Sequence, residues 1–226
     1  MVKQVQGMKA KQIILVDDHP IIRDGLAELI RQDPKLAVAG EAGSGAEALR
    51  LVAAATPDLV ILDLSLPDKD GLFLLKELRA FHANLNVLVL SVHDETIYAK
   101  RVLHAGGRGY IMKNKSGENI LKAIHHVLAG QIYLSTAMSQ TILSQLGTMS
   151  PEGDHINLDN LSDRELQVFR LVGQGFQCSE IAKRLHLSPK TIETHCAKIR
   201  TKLNLISTGE FRRHAIQWSS GEKTFS

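Results

Sequence analysis

The sequence is poor in cysteine and has no long apolar run, and each shortage excludes a class of protein. Only two of its 226 residues, Cys178 and Cys196, are cysteines, too few for the disulfide framework of a small secreted domain. No apolar run approaches the roughly 18 residues of a membrane-spanning helix. The first residues, MVKQVQGMKAK, lack the apolar stretch of a secretory signal. We therefore expect free buried thiols without a redox role, no membrane contact and a cytoplasmic location.

The length and composition are typical of a globular chain with two compact units. Hydrophobic residues make up 44% and charged residues 23%, which excludes a disordered or fibrous protein. Residues 1–135 carry 16 basic and 15 acidic side chains, whereas residues 161–226 carry 11 and six. This asymmetry predicts that only the C-terminal part meets a polyanion such as nucleic acid.

Short apolar runs alternate with helical patterns between Gln12 and Gly130. There are five of them, at residues 13–16, 36–39, 59–62, 87–90 and 109–112. Their continuous apolarity predicts strands covered on both faces, and therefore a parallel sheet with helical connections. We predict a doubly wound five-stranded α/β domain of the flavodoxin-like type.

The pattern changes after this domain. Residues 131–144 have helical spacing, and the following GTMSPEGDHINLDN is polar and aperiodic, as in a flexible linker. From Leu161 onward the pattern is helical, and Ser162 and Glu165 have the spacing of a capping box. A short helix, a tight turn and a longer basic helix that starts at Pro189 form a helix-turn-helix pattern, so we predict a small all-α domain.

Polar side chains with related chemistry end four of the predicted strands. Asp17 and Asp18 end the first, Asp63 the third, Ser91 the fourth and Lys113 the fifth. These ends meet at one edge of an open parallel sheet. A cluster of carboxylates needs a cation, and oxygen ligands suit Mg²⁺ or Mn²⁺. A single such Asp is usually a turn residue, but together the five predict a metal site and a carboxylate, Asp63, that attacks phosphorus.

The longer basic helix has two different faces. One stripe is apolar and is predicted to pack inward: Ile192, Cys196, Ile199 and Leu203. The opposite face carries small and basic side chains: Lys190, Thr194, Ala197 and Thr201, flanked by Glu193 and Lys198. A helix that enters the DNA major groove needs this mixture, although a solvated helix can share it. The helix-turn-helix context favours DNA.

The strand ends closely resemble the receiver domain of NarL/FixJ-type bacterial response regulators, in the strings ILVDDHPIIRDGL, PDLVILDLSLPDKDGL, VLVLSVHDE and AGGRGYIMK. The resemblance implies that Asp63 accepts phosphate from a sensor histidine kinase. It implies that Asp18 ligates Mg²⁺ directly, that Asp17 supports this ion, and that the Ser65 backbone carbonyl is a further ligand.

The same resemblance implies three side chains that respond to phosphorylation. Lys113 would pair with the phosphoryl group, Ser91 would move to bond it, and Tyr110 would rotate inward. Dimerisation would follow, because two half-sites on DNA require two DNA-binding domains.

The C-terminal region resembles the LuxR-type DNA-binding domain, in the strings LSDRELQVFRLVGQG and SEIAKRLHLSPKTIETHCAKIRTKL. The resemblance places three residues near bases, namely Glu193, Thr194 and Ala197. It places four near phosphates, namely Lys190, Thr191, His195 and Lys198. Glu193 would repel phosphate and is suited to accept a hydrogen bond from a cytosine amino group.

We thus predict a tail at 1–11, a receiver at 12–132, a linker at 133–158 with a helical pattern at its start, and a LuxR-type domain at 159–226. The predicted function is regulation of transcription by a response regulator whose phosphorylation at Asp63 controls dimerisation and promoter binding. RNA polymerase is a further candidate partner. The chain would not be a dedicated enzyme, apart from autodephosphorylation.

Two alternatives remain open at this point. A Mg²⁺-dependent phosphotransferase or phosphatase could use Asp63, but Ser65 stands where such phosphatases have a second acid. A constitutive DNA-binding protein could keep the receiver only for protein contacts, but the intact acidic site disfavours this. A metal site of Cys178, Cys196, His186 and His195 is disfavoured by its irregular spacing.

Overall fold

The computed structural model describes residues 10–147 and 158–223. The chain divides into two compact units, one of residues 1–91 and 98–142 and the other of residues 92–97 and 143–226. The predicted tail falls largely outside the described residues, and so does most of the polar part of the predicted linker. The predicted domain boundaries at residues 11, 132 and 158 stay predictions.

The first unit is built on a five-stranded parallel sheet with the order β2-β1-β3-β4-β5. Its strands are β1 (Lys11–Val16), β2 (Leu36–Ala42), β3 (Leu59–Leu62), β4 (Asn86–Ser91) and β5 (Gly109–Met112). All five predicted strands are confirmed. The second is longer than its apolar run, because it continues through Gly40 and Glu41 at the edge of the sheet.

Five helices connect or follow these strands: α1 (Pro20–Arg31), α2 (Gly45–Ala55), α3 (Gly71–Phe81), α4 (Glu95–His104) and α5 (Gly117–Leu128). The buried strand residues, such as Ile13, Leu15 and Ile61, pack with Ile30 of α1 and Ile124 of α5. Because both faces of the central strands are covered, their sequences are apolar throughout rather than alternating. The predicted doubly wound α/β domain is confirmed.

The helical pattern predicted for residues 131–144 corresponds to α6 (Thr136–Gly147). The helix begins five residues later than the pattern, because Tyr133 is held at the sheet, where its N–H donates to the Arg108 carbonyl and its carbonyl accepts from Tyr110. The chain therefore leaves the sheet only after Tyr133.

The C-terminal part of the second unit, residues 158–223, consists of helices and the turns between them. After a short 3-10 helix (Leu158–Asn160) come α7 (Asp163–Gly173), α8 (Cys178–Arg184), α9 (Pro189–Lys202) and α10 (Thr208–Lys223). The capping box of Ser162 and Glu165 is confirmed at the start of α7. Phe169 packs against the rings of Phe211 and Trp218, with centroids 5.7 and 5.5 Å away. The aromatic residues of α7 and α10 thus form part of this unit's core.

The two thiols differ from the prediction. Both Cys178 and Cys196 are free but half-buried, so the expectation of buried thiols is wrong. Burial and the neighbouring Cys178 thiol together raise the pKa of Cys196 to about 12. Cys196 is therefore a protonated, weakly nucleophilic thiol at neutral pH. No helix in the described ranges is both long and apolar enough to cross a bilayer.

Candidate functional site

The order of the strands brings the predicted acidic residues together. Strands β1 and β3 are neighbours, and the Asp63 N–H donates to the Val16 carbonyl at 2.8 Å, which places Asp63 beside Asp17. The Asp17 N–H in turn bonds the Ala42 carbonyl at the end of β2. Asp63 and Asp17 are only 1% and 2% exposed. Two carboxylates separated by 46 residues thus lie buried at one edge of the sheet.

Lys113 joins both carboxylates. Its Nζ lies 2.6 Å from Oδ2 of Asp17 and 2.8 Å from Oδ2 of Asp63. Its backbone is held at the end of β5, since its N–H donates to the Ser91 carbonyl at 2.8 Å. Burying either carboxylate without this ammonium would be costly.

Burial and the neighbouring Lys113 charge shift the pKa of Asp63 in opposite directions. Burial raises the pKa of the Asp63 carboxyl, and the nearby Asp17 charge adds to this, while Lys113 acts in the other direction. Burial disfavours the charged form of Lys113, but Asp63 and Asp17 outweigh it and raise the pKa of the ammonium. Oδ1 of Asp63 is buried and no donor of the described residues meets it in bonding geometry, although the Ser65 N–H is near enough to lower the pKa of the carboxyl. This unsatisfied oxygen fits a site that takes a further cation.

The turn after β1 completes the acidic cluster. Ligand atoms of Asp17, Asp18, His19 and Asp63 lie within 4.8 Å of one another. Nδ1 of His19 is 3.1 Å from Asp17 Oδ1 and 2.8 Å from Asp18 Oδ1. Three carboxylates at one point form a hard oxygen donor set, which suits Mg²⁺ or Mn²⁺. The residues present therefore fit a divalent cation.

The loop between β3 and α3 lies against the site and is tightly held. Ser65 forms an isolated antiparallel bridge with Asp70, and the Gly71 N–H donates to the Leu64 carbonyl. A Cβ on Gly71 would lie 2.4 Å from the Leu64 Cα and 2.7 Å from the Asp63 carbonyl oxygen. Only glycine fits this approach of α3 to the residue after Asp63.

The two predicted switch residues occupy neighbouring strands. Ser91 ends β4 and Tyr110 lies in β5, and both are fully buried. Tyr110 is already inside in this structure, where its N–H bonds the Tyr133 carbonyl. Their response to phosphorylation stays a prediction.

Helix α9 separates its apolar and polar residues as predicted. Ile192, Ile199 and Leu203 are buried, whereas Cys196 on the same stripe is half-buried. Most of the candidate DNA-contact side chains are exposed, namely Lys190, Glu193, Thr194, Ala197 and Lys198, while Thr191 and His195 are half-buried. The helix therefore presents one continuous polar face, and α8 with its turn completes the predicted helix-turn-helix.

The first turn of this polar face is internally bonded. Ser188 caps α9 by accepting from the Thr191 N–H, and Lys190 Nζ lies 3.2 Å from Glu193 Oε2. Burial together with the charges of Arg164 and Lys198 lowers the pKa of His195. His195 is consequently a neutral imidazole at pH 7.

Comparison with known proteins decides the family. Residues 13–125 match the response regulator receiver domain, and residues 159–215 match the bacterial regulatory proteins of the luxR family. The chain belongs to the LuxR-type response regulators. The response regulator is 33% identical to the nitrate/nitrite response regulator protein NarL of Escherichia coli, across 94% of this chain and 96% of NarL. It is 32% identical to the oxygen regulatory protein NreC of Staphylococcus epidermidis, across 91% and 97%.

A solved structure supports the same assignment. RcsB from Salmonella enterica serovar Typhimurium, bound to promoter DNA in the presence of the phosphomimetic BeF3-, is similar with a TM-score of 0.72. The identity is 25%, over 94% of this chain and all of that one. The predicted family, fold class and role in transcription regulation are confirmed.

Two residues near the site of this response regulator were not predicted from the sequence. Arg23 of α1 donates from Nη1 to the Asp17 backbone carbonyl at 2.5 Å. Asp68 accepts from the N–H groups of Gly45 and Ala46 at 2.8 and 3.0 Å, which ties the β3–α3 loop to the start of α2. The role of Arg23 could have been predicted, because this residue lies one turn into the helix that follows Asp17 and Asp18. Nothing local indicated the second, because its partners lie 22 and 23 residues away.

Proposed function

We propose that Asp63 is the phosphoacceptor of this response regulator and that a sensor histidine kinase is its phosphodonor. The observation that carries the proposal is the burial of Asp63 against Asp17 and Lys113, with one Asp63 oxygen that no donor of the described residues meets in bonding geometry. A purely structural carboxylate would have its oxygens satisfied. A phosphoacceptor needs an oxygen that is available for attack.

The metal site would consist of Asp17, Asp18, Asp63 and the Ser65 backbone carbonyl, with Mg²⁺ or Mn²⁺ as the ion. When bound, the cation neutralises charge on the phosphoryl oxygens. Asp17 and Asp18 follow β1, while the tight Gly71 contact and the Asp70 bridge hold the backbone around Ser65. The site therefore rests on the rigid ends of strands.

The chemical step is an in-line transfer. A carboxylate oxygen of Asp63 attacks phosphorus as the P–N bond of the kinase phosphohistidine breaks, and the imidazole leaves with the electron pair. The product is an acyl phosphate on Asp63. The Lys113 ammonium, already 2.8 Å from Asp63, would stay beside the new phosphoryl group and balance its charge. Attack by water on phosphorus would later break the P–O bond to Asp63, which releases inorganic phosphate and returns the carboxylate; this is the proposed autodephosphorylation.

The phosphorylated site would act through Ser91 and Tyr110. Ser91 would hydrogen-bond the phosphoryl group, and β4 and β5 would carry the change to the surface of the receiver. Phosphorylation then shifts a pre-existing equilibrium towards a dimer. The boundaries that we propose are 12–132 for the receiver and 159–226 for the DNA-binding domain.

The exposed face of α9 is proposed as the promoter-binding surface. Glu193, Thr194 and Ala197 would contact bases, and four residues would contact phosphates, namely Lys190, Thr191, His195 and Lys198. His195 is half-buried beside these residues, and an imidazole N–H can donate a hydrogen bond to a phosphate oxygen. Lys190 and Glu193 pair with each other without DNA, so binding exchanges this exposed pair for a phosphate and a cytosine amino group.

We further propose that RNA polymerase is a partner of this protein and that the protein is located in the cytoplasm. Support for both comes from the family, whose members regulate transcription.

Intact mass spectrometry tests the phosphoacceptor. The protein is incubated with Mg²⁺ and acetyl phosphate, beside Asp63→Asn and an Asp58→Asn control of the same charge change. One phosphoryl adduct is expected on wild type and on Asp58→Asn, and none on Asp63→Asn.

An adduct that persists on Asp63→Asn would contradict the choice of residue. No adduct on any protein, and none from a purified histidine kinase, would favour the constitutive DNA-binding alternative. Repeated turnover of a small phosphomonoester would instead favour the phosphatase.

The base-reading role of Glu193 is tested by DNA competition. Glu193→Ala should lower the preference for operator over scrambled DNA by about tenfold, the value of one good base contact. Glu180→Ala removes the same charge from α8 together with its bond to the Gln177 N–H, so it should lower stability but leave the preference unchanged. An intact preference in Glu193→Ala would remove this residue from the base-reading set.

A further inference from the structure

Arg23 links helix α1 to the ends of β1 and β2, beside the acidic site. Its Nη1 donates to the Asp17 backbone carbonyl at 2.5 Å, and its Nε lies 3.6 Å from Glu41 Oε2 at the end of β2. The side chain is only 19% exposed although it belongs to a surface helix. An arginine buried this far is held by its partners rather than by solvent.

The contact with Asp17 concerns the backbone that presents the acidic pair. The Asp17 N–H is already bonded to the Ala42 carbonyl, and the Asp17 carbonyl is the group that Arg23 holds. The carbonyl belongs to the peptide that joins Asp17 to Asp18. Its orientation therefore determines how the two carboxylates lie relative to each other and to Asp63.

Arg31 shows what an ordinary arginine of the same helix does. It lies at the end of α1, is 64% exposed and, within the described part of the chain, pairs only with Glu28, three residues before it in the same helix. Such a pair contributes little to stability. Arg23 differs because it crosses from the helix to two strand ends.

We propose that Arg23 is a positioning residue that orients the Asp17–Asp18 turn for cation binding. The inference rests on the proposed function, because it assumes that these carboxylates hold Mg²⁺ or Mn²⁺. Arg23 acts through the Asp17 carbonyl and touches neither the cation nor the phosphoryl group. Outer residues that orient metal ligands typically contribute ten- to a hundredfold to affinity.

The direction in which metal affinity changes when Arg23 is removed distinguishes positioning from simple charge repulsion. A guanidinium beside a cation site repels the cation, so its removal should strengthen metal binding if only charge matters. Removal should weaken metal binding if Arg23 orients the carboxylates. The two mechanisms thus predict opposite changes.

The test measures Mn²⁺ binding by the electron paramagnetic resonance signal of free Mn²⁺. The proteins are wild type, Arg23→Met, Arg23→Lys, the matched control Arg31→Met, and Asp63→Asn. Arg23→Met should bind Mn²⁺ about tenfold more weakly, and Arg31→Met should equal wild type. Arg23→Lys keeps the charge but not the planar donor, so about a threefold loss is expected.

Tighter or unchanged binding by Arg23→Met overturns the proposal. If that variant does not fold by circular dichroism, Arg23→Lys decides, because its charge is unaltered and an affinity equal to wild type would refute positioning. Absence of Mn²⁺ binding by wild type, or equal binding by Asp63→Asn, would instead show failure of the proposed metal site itself.

Discussion

The receiver site and the face of α9 handle charge in opposite ways. At the receiver site, Asp17, Asp63 and Lys113 are withdrawn from water and come from three different strand ends. On α9, Lys190 and Glu193 stand in solvent on a single helix, 87% and 56% exposed. The receiver concentrates charge at one buried point, whereas α9 spreads it along a surface.

Under the proposed function, the difference follows from what each region binds. A phosphoryl group is small, so the charges that act on it must lie close to it. Exclusion of water then strengthens each electrostatic interaction. DNA is an extended polyanion, so a helix that binds it needs many exposed contacts of modest strength. We therefore expect substitutions in the receiver site to affect folding as well as function, and substitutions on α9 to leave folding intact.

Removing Lys113 is the strongest test of this contrast. Lys113→Met leaves the Asp17 and Asp63 carboxylates buried without their ammonium, so the free energy of unfolding should fall by about 3 kcal/mol without divalent cations. Added Mg²⁺ should restore part of the loss. Urea unfolding followed by far-ultraviolet circular dichroism, with and without Mg²⁺, measures both effects.

The matched control for this experiment is Lys115→Met, an exposed lysine two residues further along. It should change stability by less than about 0.5 kcal/mol. Equal effects of the two substitutions would break the contrast, because the ammonium of Lys113 would then not be essential to the buried carboxylates.

Gly71 tests how tightly the backbone around Asp63 is packed. In Gly71→Ala the new methyl group would overlap the Leu64 Cα and the Asp63 carbonyl, so we expect a loss of about 2 kcal/mol and slower phosphorylation. Gly25→Ala in α1 meets nothing within 4 Å and should stabilise by up to about 1 kcal/mol. Thermal unfolding measures the stability of the two variants, and the rate of adduct formation measures their phosphorylation. If Gly71→Ala changed neither, the loop between β3 and α3 would have to relax enough to accommodate the methyl group.

Glu165 tests this comparison within the DNA-binding domain, because it is a buried charge there. Its Oε2 accepts from Lys202 Nζ at 2.7 Å and from the Ser162 N–H at 2.8 Å. Burial opposes ionisation, but these two bonds outweigh it and lower the pKa of Glu165. Glu165→Gln should therefore cost about 1–2 kcal/mol at pH 7.

The pH dependence has a definite sign. Because the folded pKa is below the ordinary value of 4.5, the stabilisation is complete above that value and is lost as the pH falls through the lowered folded pKa. Fluorescence of Trp218, which packs on Phe169, reports unfolding of this domain. Glu180→Gln removes the corresponding capping-box carboxylate of α8 and should cost less. Identical losses and pH profiles would show that the Lys202 contact adds nothing.

Much of the fold followed from local patterns. Apolar runs predicted the five strands, and capping signals such as Ser162 with Glu165 predicted where helices begin, because these signals depend on neighbours within a few residues. The longer β2 and the late start of α6 did not follow. Both depend on pairing with distant strand residues, as in the bonds between Tyr133 and the Arg108–Tyr110 segment.

The order of elements, the chemical types at the strand ends and the polar face of α9 were predictable from local patterns, because each depends on periodicity or on single positions. Folding in three dimensions was needed to show that Lys113 contacts both Asp17 and Asp63, and that Arg23 holds the turn between the acidic residues. The same holds for the partial burial of Cys196. These are matters of distance between residues far apart in the chain, and such distances arise only when the sheet and its helices pack together.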